Sequence, residues 1–257
     1  MLNISARLRV QTDDNVLIAG IIITGNDPKK VLFRAIGPSV KSNNVPVPGR
    51  LANPTLELRD GNGAFVTEND NWKDSPQRSD IESSGLAPTD DNESAILRTL
   101  NPGAYTAIVR GKDRTTGIAL VEAYDLDSSA ASILANISTR GFVETNDNVL
   151  FGGFIAGNHP DNTRILVRAI GPSLQNILPN TLDDPFLELH DRNGATVATN
   201  DNWKDNQRAD IEATGIPPSH DLESAMVRTV IPDAYTAIVR GKNNEMGVGL
   251  VEIYNIK

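Results

Sequence analysis

The chain is 257 residues long and acidic, with a formal net charge of −9, and it contains no cysteine. Nucleic acid is therefore an unsuitable partner, since phosphate binding needs a basic face, and disulfide scaffolds and thiol chemistry are excluded. No apolar run approaches the ~20 residues of a membrane-spanning helix, so membrane insertion is not expected, and no secretory leader is visible.

In chain order, Asn15 to Thr24 and Val31 to Ile36 are almost continuously apolar, as central strands are. Thr55 to Asp60 alternates, with Leu56 and Leu58 on one face and Glu57 and Arg59 on the other, and runs into the turn Asp60-Gly61-Asn62-Gly63. The acidic stretch Asn69 to Asp74 follows, and after it Ser75 to Gly85 reads as a short helix. Ser75 serves there as cap, Pro76 as first helical residue and Gly85 as stop. Beyond the turn Asn101-Pro102-Gly103, Ala104 to Arg110 places Tyr105, Ala107 and Val109 on one face, and Ile118 to Tyr124 carries Glu122 between Val121 and Ala123. A Ser/Ala-rich join follows, from Asp127 to Leu134.

Then the sequence begins again. Asn3-Ile4-Ser5-Ala6-Arg7 returns as Asn136-Ile137-Ser138-Thr139-Arg140, and Asp14-Asn15-Val16-Leu17 as Asp147-Asn148-Val149-Leu150. The Arg-Ala-Ile-Gly-Pro-Ser string at Arg34 recurs at Arg168, Asn-Asp-Asn-Trp-Lys-Asp at Asn69 recurs at Asn200, and Ala104 to Lys112 recurs as Ala234 to Lys242. In the second helix segment Asn206 and Gly215 take the roles of Ser75 and Gly85. Each copy is about 125 residues, a normal domain size and too long for a solenoid repeat. The reading is all-β: two tandem β-sandwich, jelly-roll-like domains, each with one short helix, over residues 1–127 and 135–257, with a short linker at 128–134.

Duplication supplies an internal test of chemistry, because a site that belongs to the domain should occur in both copies. His159, His190 and His220 lie in the second copy, opposite Asp27, Arg59 and Asp90. Ser94 and Ser224 recur as Glu-Ser-Ala, without a base in both copies and without a nucleophile elbow. No catalytic residue is assigned, and the chain is not read as an enzyme. The acidic loops supply several side-chain oxygens, of which calcium wants six to eight. If calcium binds, Asp70 and Asp74, with Asp201 and Asp205, are its first expected ligands; the alternative is that these side chains form Asx-turns and helix caps. No other cofactor is required. Trp72 and Trp203 are expected to pin their loops through the indole N–H, the alternative being a sugar-stacking surface. Arg34, Arg110 and Lys112, with Arg168, Arg240 and Lys242, read as outward charges paired across the sheet.

The strings Asn136-Ile-Ser-Thr-Arg-Gly, Arg168-Ala-Ile-Gly-Pro-Ser-Leu and Asn200-Asp-Asn-Trp resemble a repeat of large secreted or surface proteins of environmental bacteria. The back half of each copy also resembles the bacterial pre-peptidase C-terminal domain, in its Leu-Glu-Leu-x-Asp strand, Asn-Gly turn and final Gly-x-x-Leu-Val-Glu strand. Those domains are β-sandwiches appended to secreted hydrolases, and some bind calcium. The resemblance implies an extracellular or cell-surface location. With the duplication, it leads to a non-enzymatic structural module: a surface-filament subunit, stalk or adhesive spacer. Self-association is expected head-to-tail, with the Asn3 to Val10 strand as connector. The alternative is a calcium-dependent polysaccharide- or substrate-binding accessory module of a secreted hydrolase.

Overall fold

The computed structural model describes residues 3–42, 44–157 and 162–256. They fall into two compact units that part between Ala135 and Asn136. The first contains β1 (Asn3–Val10), β2 (Leu17–Gly25), β3 (Lys29–Ile36), β4 (Lys41–Ser42), β5 (Val45–Pro46), β6 (Pro54–Asp60), β7 (Phe65–Asn69), α1 (Arg78–Ser83), β8 (Ser94–Leu100), β9 (Gly103–Gly111) and β10 (Gly117–Asp125). Within this unit one sheet runs β1-β10-β3-β8 and the facing sheet β2-β9-β6-β7, every pair antiparallel. With the small β4–β5 ladder set aside, the first strand pairs with the last and the second with the last but one, which is the jelly roll.

The second unit repeats the plan with β11 (Ser132–Val143, which enters this unit at Asn136), β12 (Leu150–Ile155), β13 (Thr163–Ile170), β14 (Pro185–Asp191), β15 (Thr196–Asn200), α2 (Arg208–Glu212), β16 (Ser224–Val230), β17 (Ala234–Gly241) and β18 (Gly247–Asn255). Its orders are β11-β18-β13-β16 and β12-β17-β14-β15. Because β11 starts at Ser132, part of the stretch expected as a 128–134 linker is strand, with Ser132 and Leu134 buried. The Ser/Ala-rich composition masked a period-2 pattern there.

The strands follow from their alternation. In β1, Ile4, Ala6, Leu8 and Val10 are buried and Ser5, Arg7 and Arg9 are not fully so. β3 is buried more continuously, because the long connection between β7 and β8 folds over the outer face of its sheet. Trp72 and Ile81 pack there on Leu32, Ala95 and Leu97. Trp203 and Ile211 pack likewise on Leu166, Ala225 and Val227. Each unit thus has a main core between its sheets and a smaller one beneath this connection.

The helix in that connection is shorter than the Ser75 to Gly85 expected. A 3-10 turn covers Trp72–Asp74 and α1 begins at Arg78. Ser75 and Asn206 are therefore not the caps expected of them, nor is Pro76 the first helical residue: Gln77 and Gln207 hold the N-cap positions without a side-chain cap bond, and Ser75 Oγ instead accepts the Gln77 amide at 3.2 Å in the turn before the helix. The helix stops where expected, at Gly85 with φ +71° and at Gly215 with φ +76°, values a glycine adopts without strain.

Candidate functional site

The repeated polar residues converge where the β3–β6, β7–β8 and β9–β10 connections meet their strands. At the centre is Glu93, fully buried. Its Oε1 accepts the Gly37 amide (3.1 Å), the Ser39 amide (2.9 Å) and the Ser39 hydroxyl (2.6 Å), while its Oε2 accepts the Asp90 amide (3.3 Å). Glu223 does the same for the amides of Gly171 (3.4 Å), Ser173 (3.0 Å) and His220 (3.2 Å). The Gly-Pro-Ser string is therefore a nest of backbone donors filled by the protein's own carboxylate. Gly37 and Gly171 have no room for a Cβ, which would run into the carbonyls of Leu51 and Leu182.

Ser94 is fully buried, and its hydroxyl faces two carbonyl oxygens, those of Pro54 and Asp70, each at 2.6 Å. Ser224 faces Pro185 and Asp201 in the same way. A hydroxyl whose proton is shared between two peptide oxygens is a structural donor, not an activated nucleophile. The side chain of Asn69 accepts from the Ala95 amide (2.9 Å) and donates to the Asn71 carbonyl (3.0 Å). Trp72 is 6% exposed and its indole N–H donates to the Asp90 carbonyl (3.1 Å); Trp203 is 5% exposed and donates to that of His220 (3.0 Å). Both indoles pin their loops, as the sequence led us to expect, and neither offers a face for sugar stacking.

A second repeated cluster ties the connection to the sheet. Arg34 lies directly across from Glu122 in the β3–β10 register and forms a two-nitrogen pair with its carboxylate. It also donates to the Leu86 carbonyl (2.7 Å) and to the Tyr124 hydroxyl (3.0 Å), while Tyr124 donates to Glu122 (2.7 Å). Arg168, Glu252, the Ile216 carbonyl and Tyr254 repeat the arrangement. Burial, and then the adjacent Glu122 charge, push the Tyr124 phenol well above its ordinary value. Burial and Glu252 push Tyr254 up to about 12. Both phenols are thus held as hydrogen-bond donors. Arg110 pairs with Glu57 (2.9 Å) across the sheet as expected, whereas the Arg34 and Arg168 pairs are largely buried and Lys112 and Lys242 reach aspartates of the loops instead.

The four aspartates expected as calcium ligands are not gathered into a cage. Asp70 is held by Lys112 (2.6 Å) and Asp201 by Lys242 (2.6 Å). These hydrogen bonds raise both lysines above their ordinary value. Asp74 and Asp205 accept from the side-chain amides of Asn71 (3.3 Å) and Asn202 (3.2 Å), the local turn bonding that was the alternative reading. Among the described residues, no group of three or more His, Cys, Asp or Glu side chains is placed to hold a metal ion. One difference between the units stands out. Asn53, with its amide turned to suit its neighbours, donates to Asp70 Oδ1 (3.2 Å). Asp184 occupies the equivalent place in the second unit and has no proton to give. There the Oδ1 atoms of Asp184, Asp201 and Asn202 are buried without a hydrogen-bond partner among the described residues.

Of the histidines, His159 lies outside the described residues. His220 contributes its carbonyl to Trp203, and its ring nitrogen accepts the Leu222 amide at 3.3 Å. His190 sits on β14 beside Glu188. Sequence reasoning missed Glu93 and Glu223, although each is the first residue of a repeated Glu-Ser-Ala; the usable signal was a glutamate recurring in both copies inside an otherwise polar loop.

No protein-family model and no curated protein matches this chain. Among solved structures, it is similar to one from the atomic structure of Sulfolobus Turreted Icosahedral Virus (10% identity, 97% of this chain and 85% of that chain, TM-score 0.26). It is also similar to the major capsid protein P2 from bacteriophage PM2 (11% identity, 98% of both chains, TM-score 0.26). A third is the tandem CBM51 modules of a family 98 glycoside hydrolase from Streptococcus pneumoniae SP3-BS71 (8% identity, 91% of this chain and 80% of that chain, TM-score 0.25). At these scores the likenesses carry no argument about function.

Proposed function

We propose that this chain is a non-enzymatic extracellular structural module, a filament subunit, stalk or adhesive spacer of a bacterial surface. One observation carries the reading: the polar side chains that both repeats share are consumed in holding the fold. Glu93 fills the Gly-Pro-Ser nest, Ser94 faces two carbonyls, and Arg34 and Glu122 neutralise each other. A duplicated enzyme would keep a reactive pair in each copy; this chain keeps a framework in each. Among the described residues, no helix is long and apolar enough to cross a membrane. The extracellular placement rests on the resemblance of the repeat strings.

Head-to-tail self-association belongs to this proposal, but the expected connector changes. β1 pairs with β10 over its whole length and buries alternate residues, so it is not a frayed arm awaiting a neighbour. Better candidates are β7 and β15, which end their sheets and carry exposed apolar residues: Phe65 (57%), Val66 (36%) and Val197 (44%). The other outer strand of the second unit, β16, is closed by amide side chains: Asn200 accepts from Ala225, and Gln207 bonds both the amide and the carbonyl of Val227. An edge open to pairing is a template for another chain. Electron microscopy and sedimentation of the purified chain test this. Regular filaments that Val66→Asp or Val197→Asp abolish are expected; a monodisperse monomer at high concentration rejects the filament and leaves a spacer.

A second reading, a calcium-assisted binding module for polysaccharide or another substrate, is favoured by the three unpartnered buried oxygens of Asp184, Asp201 and Asn202.

A further inference from the structure

His190 and Arg59 occupy the same place in the two repeats, on the last turn of strand before the β14–β15 and β6–β7 turns. Arg59 bridges two acceptors, the Glu57 carboxylate through Nε and the Gly63 carbonyl through Nη1 at 2.8 Å. His190 bridges the same two groups of its own repeat: Nε2 lies 2.8 Å from Glu188 Oε2 and Nδ1 lies 3.0 Å from the Gly194 carbonyl. A neutral imidazole carries a single N–H and can satisfy one of them; only the imidazolium donates to both. The His190 side chain is 16% exposed and that of Glu188 22%, so the Glu188 end of the bridge is half-sheltered, whereas the Gly194 end lies in the exposed turn.

We propose that His190 is held as an imidazolium ion that clasps the β14–β15 turn to its sheet, making this turn the pH-sensitive counterpart of the permanently charged Arg59 turn. The surroundings support it from every side. On β14 the facing group is Glu188. On β17, Thr236 stands opposite His190 and is neutral, while Arg240 Nε lies 3.6 Å from the other oxygen of Glu188. On β15 the opposite residue is Thr196, also neutral. In the turn, the Asp191 carboxylate accepts the amides of Asn193 (2.8 Å) and Ala195 (2.9 Å), and Arg192 pairs with Asp233 (3.8 Å). Glu188 therefore lies between two cations on its two oxygens, as Glu57 does between Arg59 and Arg110.

The sign follows directly. The clasp is complete while both ring nitrogens carry protons and gives up one bond when the ring loses a proton, so it weakens as pH rises. The remaining N–H keeps the stronger, charge-assisted bond to Glu188. The Gly194 carbonyl is released, and the turn loosens at Ala195, whose carbonyl accepts the Asp191 amide.

The test is amide hydrogen exchange by NMR on the full chain, with protection factors corrected for base catalysis, between about pH 5.5 and about pH 8.5. Protection at Asp191 and Ala195 should fall roughly tenfold, while Asp60 and Ala64 in the Arg59 turn hold steady. His190→Arg should make the second turn as flat with pH as the first, and His190→Gln should leave it low throughout. Unchanged protection at Ala195 across this range in the wild-type chain would overturn the proposal, as would an undiminished pH dependence in His190→Arg, which keeps His159 and His220. Neither outcome depends on whether the chain forms filaments.

Discussion

Glu93 takes both the backbone amide and the hydroxyl of Ser39 on one carboxylate oxygen, at 2.9 and 2.6 Å. The same oxygen also accepts from Gly37, so a single side chain sets the path of the β3–β6 connection. Glu93→Ala should cost roughly 3 kcal/mol or more, because buried donors lose a charged acceptor at once. Glu93→Gln keeps the Oε1 role but turns an amide N–H₂ toward the Asp90 amide, a donor against a donor, and should fall between the two. Urea unfolding followed by tryptophan fluorescence reads both. Stability of Glu93→Ala equal to wild type would show that the nest is filled from elsewhere.

Lys29 is 1% exposed, with its ammonium 2.9 Å from Asp125 and 2.6 Å from the Asp127 carbonyl. The second repeat has Thr163 and Asn255 at the equivalent places and does without the pair. Lys29→Thr alone strands the Asp125 charge and should cost roughly 3–5 kcal/mol, whereas Lys29→Thr with Asp125→Asn should recover most of that. A double-mutant cycle in guanidinium measures the difference. Equal losses in the single and double variants would mean that packing rather than charge dominates.

The Tyr254 phenol, pushed up to about 12 by burial and Glu252, favours the protonated form in the folded chain over the ordinary value of 10.0. Its contribution is therefore fully present below about pH 10 and lost as pH rises through about 12. Tyr254→Phe should remove part of the alkaline fall in stability. Absorbance titration of tyrosinate should show one fewer late-titrating phenol in this variant. An alkaline unfolding curve identical to wild type would assign the fall to other groups.

Chelation separates the two functional readings. The first repeat satisfies Asp70 with Lys112 and Asn53, so no calcium response is expected from it. Any response in the second repeat should disappear in Asp184→Asn, which restores the residue type of the first. Melting curves in calcium and in chelator check this; a response surviving in Asp184→Asn would move the ion elsewhere.

Much of the architecture was legible because duplication repeated every cue. Alternation in Thr55 to Asp60 and the Asp-Gly-Asn-Gly turn place β6 and β7, and the burial of β3 agrees with its apolar run, which only Arg34 interrupts between Val31 and Ile36. Trp72 was legible as a pin because a lone indole in a polar loop needs both a core and an acceptor, and it finds Ala95, Leu97 and the Asp90 carbonyl. The role of Glu93 was not legible, since Gly37 and Ser39 lie more than fifty positions away on a loop whose path only the fold defines. The aspartates misled for a related reason: oxygen count is visible in a sequence, whereas the lysine that occupies Asp70 arrives from the β9–β10 connection. The N-terminal strand looked like a connector because its mate adjoins the join between repeats, yet β10 supplies the partner within the same unit.

The buried carboxylate also separates the root of the β3–β6 connection from its tip. Gly37 and Ser39 are fixed by Glu93, and Leu51 returns to the sheet through the Ile118 carbonyl. Between those anchors the first repeat carries the β4–β5 ladder, whereas the second, anchored identically at Gly171 and Leu182, carries a 3-10 turn at Pro172–Leu174. Nature has already exchanged one tip for another on an unchanged base. The segment between Lys41 and Pro46 is accordingly the place where the scaffold would accept a foreign peptide for display, its sandwich indifferent to the graft.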